Sequence, residues 1–157
     1  MEKISVLFVC LGNICRSPAA EAIFIDLIEK RGLTDRFFVD SAGTGSWHIG
    51  KKADARMRMS AERRGLNILS KARQINTKDF VSFKYIIAMD NSNFKNINDL
   101  KNRSYSSDFS SIKKIQDFRN SFKDEEVPDP YFGGEEGFDH VLDILEDSVN
   151  GFLESIS

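Results

Sequence analysis

Cysteine is scarce in this sequence. The 157 residues hold two, Cys10 and Cys15, too few for a disulfide scaffold, and such a pair points to a reducing compartment and to chemistry. Histidine is as scarce: with only His48 and His140, a zinc site would lack ligands, and the cysteines are too far apart for a CxxC pair. No apolar run approaches the roughly 20 residues of a membrane span. The leading stretch MEKISVLFVC is too short for a signal peptide and reads as a strand. The chain is therefore expected in the cytoplasm, with its Asn102-Arg103-Ser104 sequon incidental. An excess of positive charge is also missing. Twenty-two basic against 24 acidic side chains leave a net charge of −2, which argues against bulk electrostatic binding to nucleic acid or to an anionic membrane. No repeat, linker or low-complexity tract divides the chain, so residues 1–157 are expected to form one domain, long enough to bury roughly two-thirds of the unfolded surface.

What is present alternates. Residues 4–9 (ISVLFV) form a continuous apolar run of the kind found in doubly buried parallel strands. Residues 17–31 carry Ala20, Ile23, Phe24, Leu27 and Ile28 at helical spacing, with Ser17 as a candidate cap, Pro18 in the first turn and Gly32 as the stop. A second strand is expected over 36–41, a helix from Asp54 to Gly65, a third strand over 84–89, a helix over 92–101 and a weaker strand near 111–116. A final helix should present Phe138, Val141, Leu142, Leu145, Val149 and Phe152 on one face. Strands alternating with helices predict an α/β fold: one three-layer domain with a roughly four-stranded parallel sheet, helices on both faces and right-handed crossovers.

In such sheets ligands bind outside the carboxyl ends of the strands, where a loop opens into a helix. Cys10 ends the first strand and the loop Leu11–Arg16 leads into the helix. Its successive N–H groups and the positive end of the helix dipole predict a cradle for an oxyanion, built from Leu11, Gly12, Asn13, Ile14, Cys15, Arg16 and Ser17. Gly12 and Asn13 are residue types that tolerate left-handed backbone. A thiol beside a helix N-terminus and an arginine ionises more readily than a free one, so Cys10 is expected to be a thiolate. Arg16 can lay its planar fork on two phosphate oxygens. A soft nucleophile beneath a tetrahedral dianion is a phosphoryl-transfer site. The nucleotide-binding pattern GxxxxGK[ST] is absent, and GTGSWHIG lacks the GxGxxG spacing. The competing reading is two packed apolar cysteines at a strand–helix junction.

The stretch VCLGNICRSP resembles, essentially residue for residue, the signature of the low-molecular-weight protein tyrosine phosphatases. The resemblance extends through DSAGTGSWHIG, KARQI, YIIAMD and DPYFGG, covering nearly the whole chain, and implies a Rossmann-like or flavodoxin-like fold. It implies a cofactor-free, metal-independent enzyme acting on phosphotyrosine proteins or peptides through a cysteinyl-phosphate, with inorganic phosphate and other oxyanions as competing ligands. Catalysis would rest on Cys10, Arg16 and Asp129. Asp129, between Pro128 and Pro130, is a turn residue by sequence alone; the resemblance makes it the general acid, and the base for the attacking water. Ser17 would stabilise the departing thiolate, Asn13 and Ser41 would brace the loop, and Asp90 would support it. Leu11, Ile14, Trp47, Tyr131 and Phe132 would flank a slot for a flat ring. Cys10 and Cys15 would form a redox pair, Cys15 resolving an oxidised Cys10. Ser70 stands where several relatives have a histidine, Ala55 where proline is frequent, and Phe132 where many eukaryotic members carry a second tyrosine. Two alternatives are a thiol-dependent arsenate reductase, which needs cysteines downstream of Cys15, and an inactive phosphotyrosine-binding module.

Overall fold

Side chains alternate across a strand, so the apolar run near the N-terminus is divided between two cores. In a computed structural model that describes residues 2–104, 109–122, 126–131 and 133–157, strand β1 spans Ile4–Cys10. Val6, Phe8 and Cys10 enter one buried cluster, while Leu7 and Val9 enter another on the opposite face. This parity places the Cys10 side chain on the Phe8 face.

That face is covered by helix α1, Arg16–Lys30, and by the longest helix, Glu135–Ile156, which is α5 in the numbering below. All six residues expected on the apolar face of α5 are fully buried. Phe8, Phe24 and Phe152 meet there with ring centroids 5.8–6.2 Å apart. Between α1 and α5 come β2 (Phe37–Gly43), α2 (Ala55–Glu62), the single turn α3 (Asp79–Ser82), β3 (Tyr85–Ala88), α4 (Asn91–Asn102) and β4 (Ser111–Lys114). The strands pair in parallel in the order β2-β1-β3-β4. The four expected strands and the helices expected over 17–31, 54–65 and 92–101 differ from expectation by a few residues at most; β2 runs two residues further, to Gly43, and the short α3 has no counterpart in the sequence expectation.

Local signals set the ends. Gly32 at φ 67° closes α1 in a Schellman turn, with Leu33 N–H donating to Ile28 and Gly32 N–H to Glu29. Asp54 and Asp90 cap α2 and α4 through their carboxylates. Ser17 is not a cap. The residue preceding α1 is Cys15, without a side-chain cap, and the Ser17 hydroxyl turns inward to the thiol instead.

Candidate active site

The loop from Cys10 to Arg16 owes its shape to one strained residue and one missing side chain. Among the described residues, Asn13 is the one non-glycine with a left-handed backbone, at φ 57°. Gly12 does not adopt that conformation; its lack of a side chain matters because a Cβ there would sit 3.0 Å from the His48 ring. Closer still is Gly43, where a Cβ would lie 2.7 Å from the Leu11 carbonyl. The loop therefore rests directly on the end of β2, tied by Thr44 N–H to the Cys10 carbonyl and Gly45 N–H to that of Leu11.

Asn13 organises the surroundings of Cys10. Its backbone N–H donates to Cys10 Sγ at 3.2 Å. Its side-chain Oδ1 accepts from the Arg73 backbone N–H at 3.0 Å, which fixes the amide so that Nδ2 donates to Ser17 at 2.8 Å and to Ser41 at 3.0 Å. Ser17 Oγ, having accepted from Asn13, can spend its own hydrogen on Cys10 Sγ, 3.0 Å away, or on the Ala42 carbonyl at 3.3 Å. Ser41 in turn donates to Glu21 at 2.6 Å. Burial pushes the Glu21 carboxyl up to about 7, against the pull of that hydrogen bond. Among the described residues, the N–H groups of Gly12, Ile14 and Cys15 donate to no protein acceptor, which leaves them for an anion.

Arg16 is 2% exposed. Nη1 donates to Asp90 at 2.7 Å and to the Val127 carbonyl at 3.1 Å, while Nη2 lies 3.6 Å from Asp129. Burial works against its charge, but the Cys10 sulfur and Asp90 outweigh it and hold the guanidinium above its ordinary value. Asp90 is thus both the cap of α4 and the residue that aims Arg16. Cys15 is buried, and burial followed by the nearby Asp54 and Cys10 keeps it a thiol. Both cysteines are free.

Cys10 and Arg16 form the floor of a cleft of about 230 Å³, walled by Leu11, Ile14, Trp47, His48, Asp129 and Tyr131. The expected site residues thus converge, except Phe132, which lies outside the described residues. Asn13, Ser17, Ser41 and Asp90 stand behind the cleft. Sequence reasoning passed over His48, which lines the cleft with its ring 5.9 Å from that of Tyr131, and over Glu21, Asp54, Arg56 and Arg73. Glu21, four residues after Ser17 beside the apolar positions of α1, carried the one local hint. Among the described residues no three His, Cys, Asp or Glu side chains are grouped to hold a metal ion, and no helix is long and apolar enough to cross a membrane.

The model of the family described as low molecular weight phosphotyrosine protein phosphatase matches residues 5–157. The chain belongs to this family. It is 42% identical over 157 residues to the low molecular weight phosphotyrosine protein phosphatase of Schizosaccharomyces pombe, covering 99% of both chains. The protein tyrosine phosphatase of Entamoeba histolytica, solved with Hepes in its active site, superposes with a TM-score of 0.92 at 45% identity, over 98% of this chain and 97% of that one. The Drosophila arginine phosphatase superposes with a TM-score of 0.91 at 38% identity, over 97% of each chain. Members of the fold therefore carry names for two kinds of phosphoryl substrate.

Proposed function

We propose that this chain hydrolyses phosphotyrosine and simple aryl phosphate monoesters through a cysteinyl-phosphate intermediate. The observation that carries this reading is the convergence of Cys10, Arg16 and Asp129 on one cleft whose rim is aromatic. The phosphate would sit against the loop N–H groups and the Arg16 fork, with the ring held between Leu11, Trp47 and Tyr131. Cys10 attacks phosphorus as the thiolate. The phosphorus–oxygen bond breaks, and Asp129 protonates the departing phenolate. In the second step Asp129 takes a proton from water, which attacks the phosphocysteine. The sulfur leaves as a thiolate, stabilised by the hydrogens of Ser17 and Asn13 N–H. Charge is carried throughout by Arg16 and backbone dipoles, so the scheme needs neither metal nor cofactor. Free cysteines suit a reducing compartment, and we place the enzyme in the cytoplasm.

An arsenate reductase relays electrons through further thiols, and no cysteine follows Cys15 in this sequence. A binding module without turnover would have no use for Asp129.

The test is a set of kcat/KM values on a phosphotyrosine peptide, p-nitrophenyl phosphate and a phosphoarginine peptide. Rapid quench should trap a phosphoryl group on Cys10. Absence of turnover on all three would return the chain to a binding role. A clear preference for phosphoarginine would move the substrate assignment to that of the Drosophila relative.

A further inference from the structure

The residue that ties the two halves of the cleft together lies on neither of its loops. Arg56 is in the first turn of α2, and its guanidinium makes four hydrogen bonds in two directions. On one side Nε and Nη2 bind the two carboxylate oxygens of Asp54 at 3.1 and 3.0 Å. On the other, Nη2 donates to the Tyr131 carbonyl at 2.9 Å and Nη1 to that of Gly133 at 3.3 Å. The same guanidinium lies over the Phe138 ring at 4.7 Å and near the Tyr131 ring at 5.7 Å. Each end of this clamp leads to a reacting group. Asp54 N–H donates to the Ile14 carbonyl of the nucleophile loop at 2.8 Å. Tyr131 N–H donates to the Asp129 carboxylate at 3.1 Å.

We infer that Arg56 is a positioning residue that sets the Asp129 carboxylate over Cys10 by clamping the Tyr131 and Gly133 carbonyls to the nucleophile loop through Asp54. The inference rests on reading Asp129 as the general acid. The chemistry suits the task. A planar fork can satisfy a carboxylate and two carbonyls at once, and a lysine cannot. Asp54 supplies the counter-charge: burial works against its charge, but the Arg56 hydrogen bonds hold its carboxyl below the usual range. The Phe138 ring adds a fixed surface from α5. Asp129 itself is exposed and reaches Arg16 only at 3.6 Å, so its direction depends on the turn that carries it.

The experiment compares kcat/KM, which reports phosphoryl transfer to Cys10, on phosphotyrosine and on p-nitrophenyl phosphate. The first leaving group needs a proton and the second scarcely does. Arg56→Ala should lower kcat/KM on phosphotyrosine by about 10- to 100-fold, the scale on which a small misplacement of a reacting group acts. On p-nitrophenyl phosphate the loss should be several times smaller, and inhibition by inorganic phosphate should be almost unchanged. Arg56→Lys should recover part of the loss. Asp54→Ser keeps a helix cap but removes the anchoring carboxylate, so it should show the same substrate-selective pattern more weakly. It also decides the matter if Arg56→Ala does not fold. Equal losses on both substrates, or a lowered Tm with an unchanged ratio of kcat/KM values, would overturn the inference. Asp129→Asn run in parallel separates it from its foundation. If Asp129→Asn lacks the selectivity, the general-acid reading fails; if only the Arg56 and Asp54 variants lack it, the clamp fails.

Discussion

The two loops that meet at the cleft are built on opposite plans. From Cys10 to Ser17 the polar side chains are buried, and Asn13, Arg16 and Ser17 are each tied by several hydrogen bonds. Of the described residues 126–131, only Val127 and Pro130 are buried, and the Asp129 side chain is 39% exposed. The nucleophile loop carries its order within itself, through Asn13 and Ser17, and borrows Ser41 and Arg73 as struts. The segment of Asp129 is held from outside, by Arg16 at the Val127 carbonyl and by Arg56 at those of Tyr131 and Gly133. The contrast fits the proposed chemistry: a nucleophile must hold one geometry around an anion, whereas a general acid must admit substrate and release product.

The sharpest way to break this comparison is at its centre. Cys10→Ser should abolish turnover while phosphate still binds, since the N–H cradle and Arg16 remain; isothermal titration with phosphate and an activity assay together check this. Residual activity within about tenfold of wild type would remove Cys10 from the mechanism, because loss of an essential nucleophile costs far more.

Breaking the other loop should cost less. Asp129→Asn is expected to lower kcat/KM on phosphotyrosine by about 10²–10⁴, the usual contribution of a general acid. A loss of the same size on p-nitrophenyl phosphate would make the aspartate a turn residue only.

The self-contained plan of the nucleophile loop has a measurable consequence for stability. Glu21 is half-buried beside Ser41, with Asp40, Arg73 and Ser70 around it, and its carboxyl is raised from 4.5 to about 7, chiefly by its partial loss of solvent. The folded protein therefore binds more protons than the unfolded chain between those values. This contribution to stability is complete below about pH 4.5 and is lost as pH rises towards 7, with a slope of up to about 1.4 kcal/mol per pH unit. Glu21→Gln should flatten the slope. Urea midpoints at pH 5, 6, 7 and 8 for the two proteins test it, and parallel profiles would show that Glu21 titrates normally.

The smallest effect concerns the second cysteine. Catalysis gives Cys15 no proton to move, so Cys15→Ser should retain most activity. After peroxide treatment, thiol should rescue wild type and rescue the variant poorly, through a Cys10–Cys15 disulfide seen by mass spectrometry. Because burial keeps Cys15 protonated, closure of that bond should accelerate as pH rises. Equal recovery of both proteins would leave Cys15 a packing residue.

Most of the nucleophile loop was legible because its parts are contiguous. Cys10, Asn13, Arg16 and Ser17 lie within one strand–loop–helix segment, and strand parity with helix geometry brings them to one point. The same holds for the buried faces of β1 and α5, which follow from residue spacing alone. Ser17 marks the limit of such reasoning. A serine at a helix start reads as a cap, yet the buried thiol and the Asn13 amide offered it better partners, and tertiary contacts overrode the local rule.

The sequence by itself determined the parallel α/β order and the loop that gathers Cys10, Asn13, Arg16 and Ser17, since each depends on residues a few positions apart whose geometry the backbone dictates. Tertiary structure alone decided how Asp129 is aimed, what balances Arg16 and where Glu21 sits. Arg16 meets the Val127 carbonyl across 111 positions, Arg56 meets that of Tyr131 across 75, and Ser41 meets Glu21 across 20. No local periodicity encodes such pairs, because they arise only when packed helices and strands bring distant groups together and burial makes leaving any of them unpaired costly.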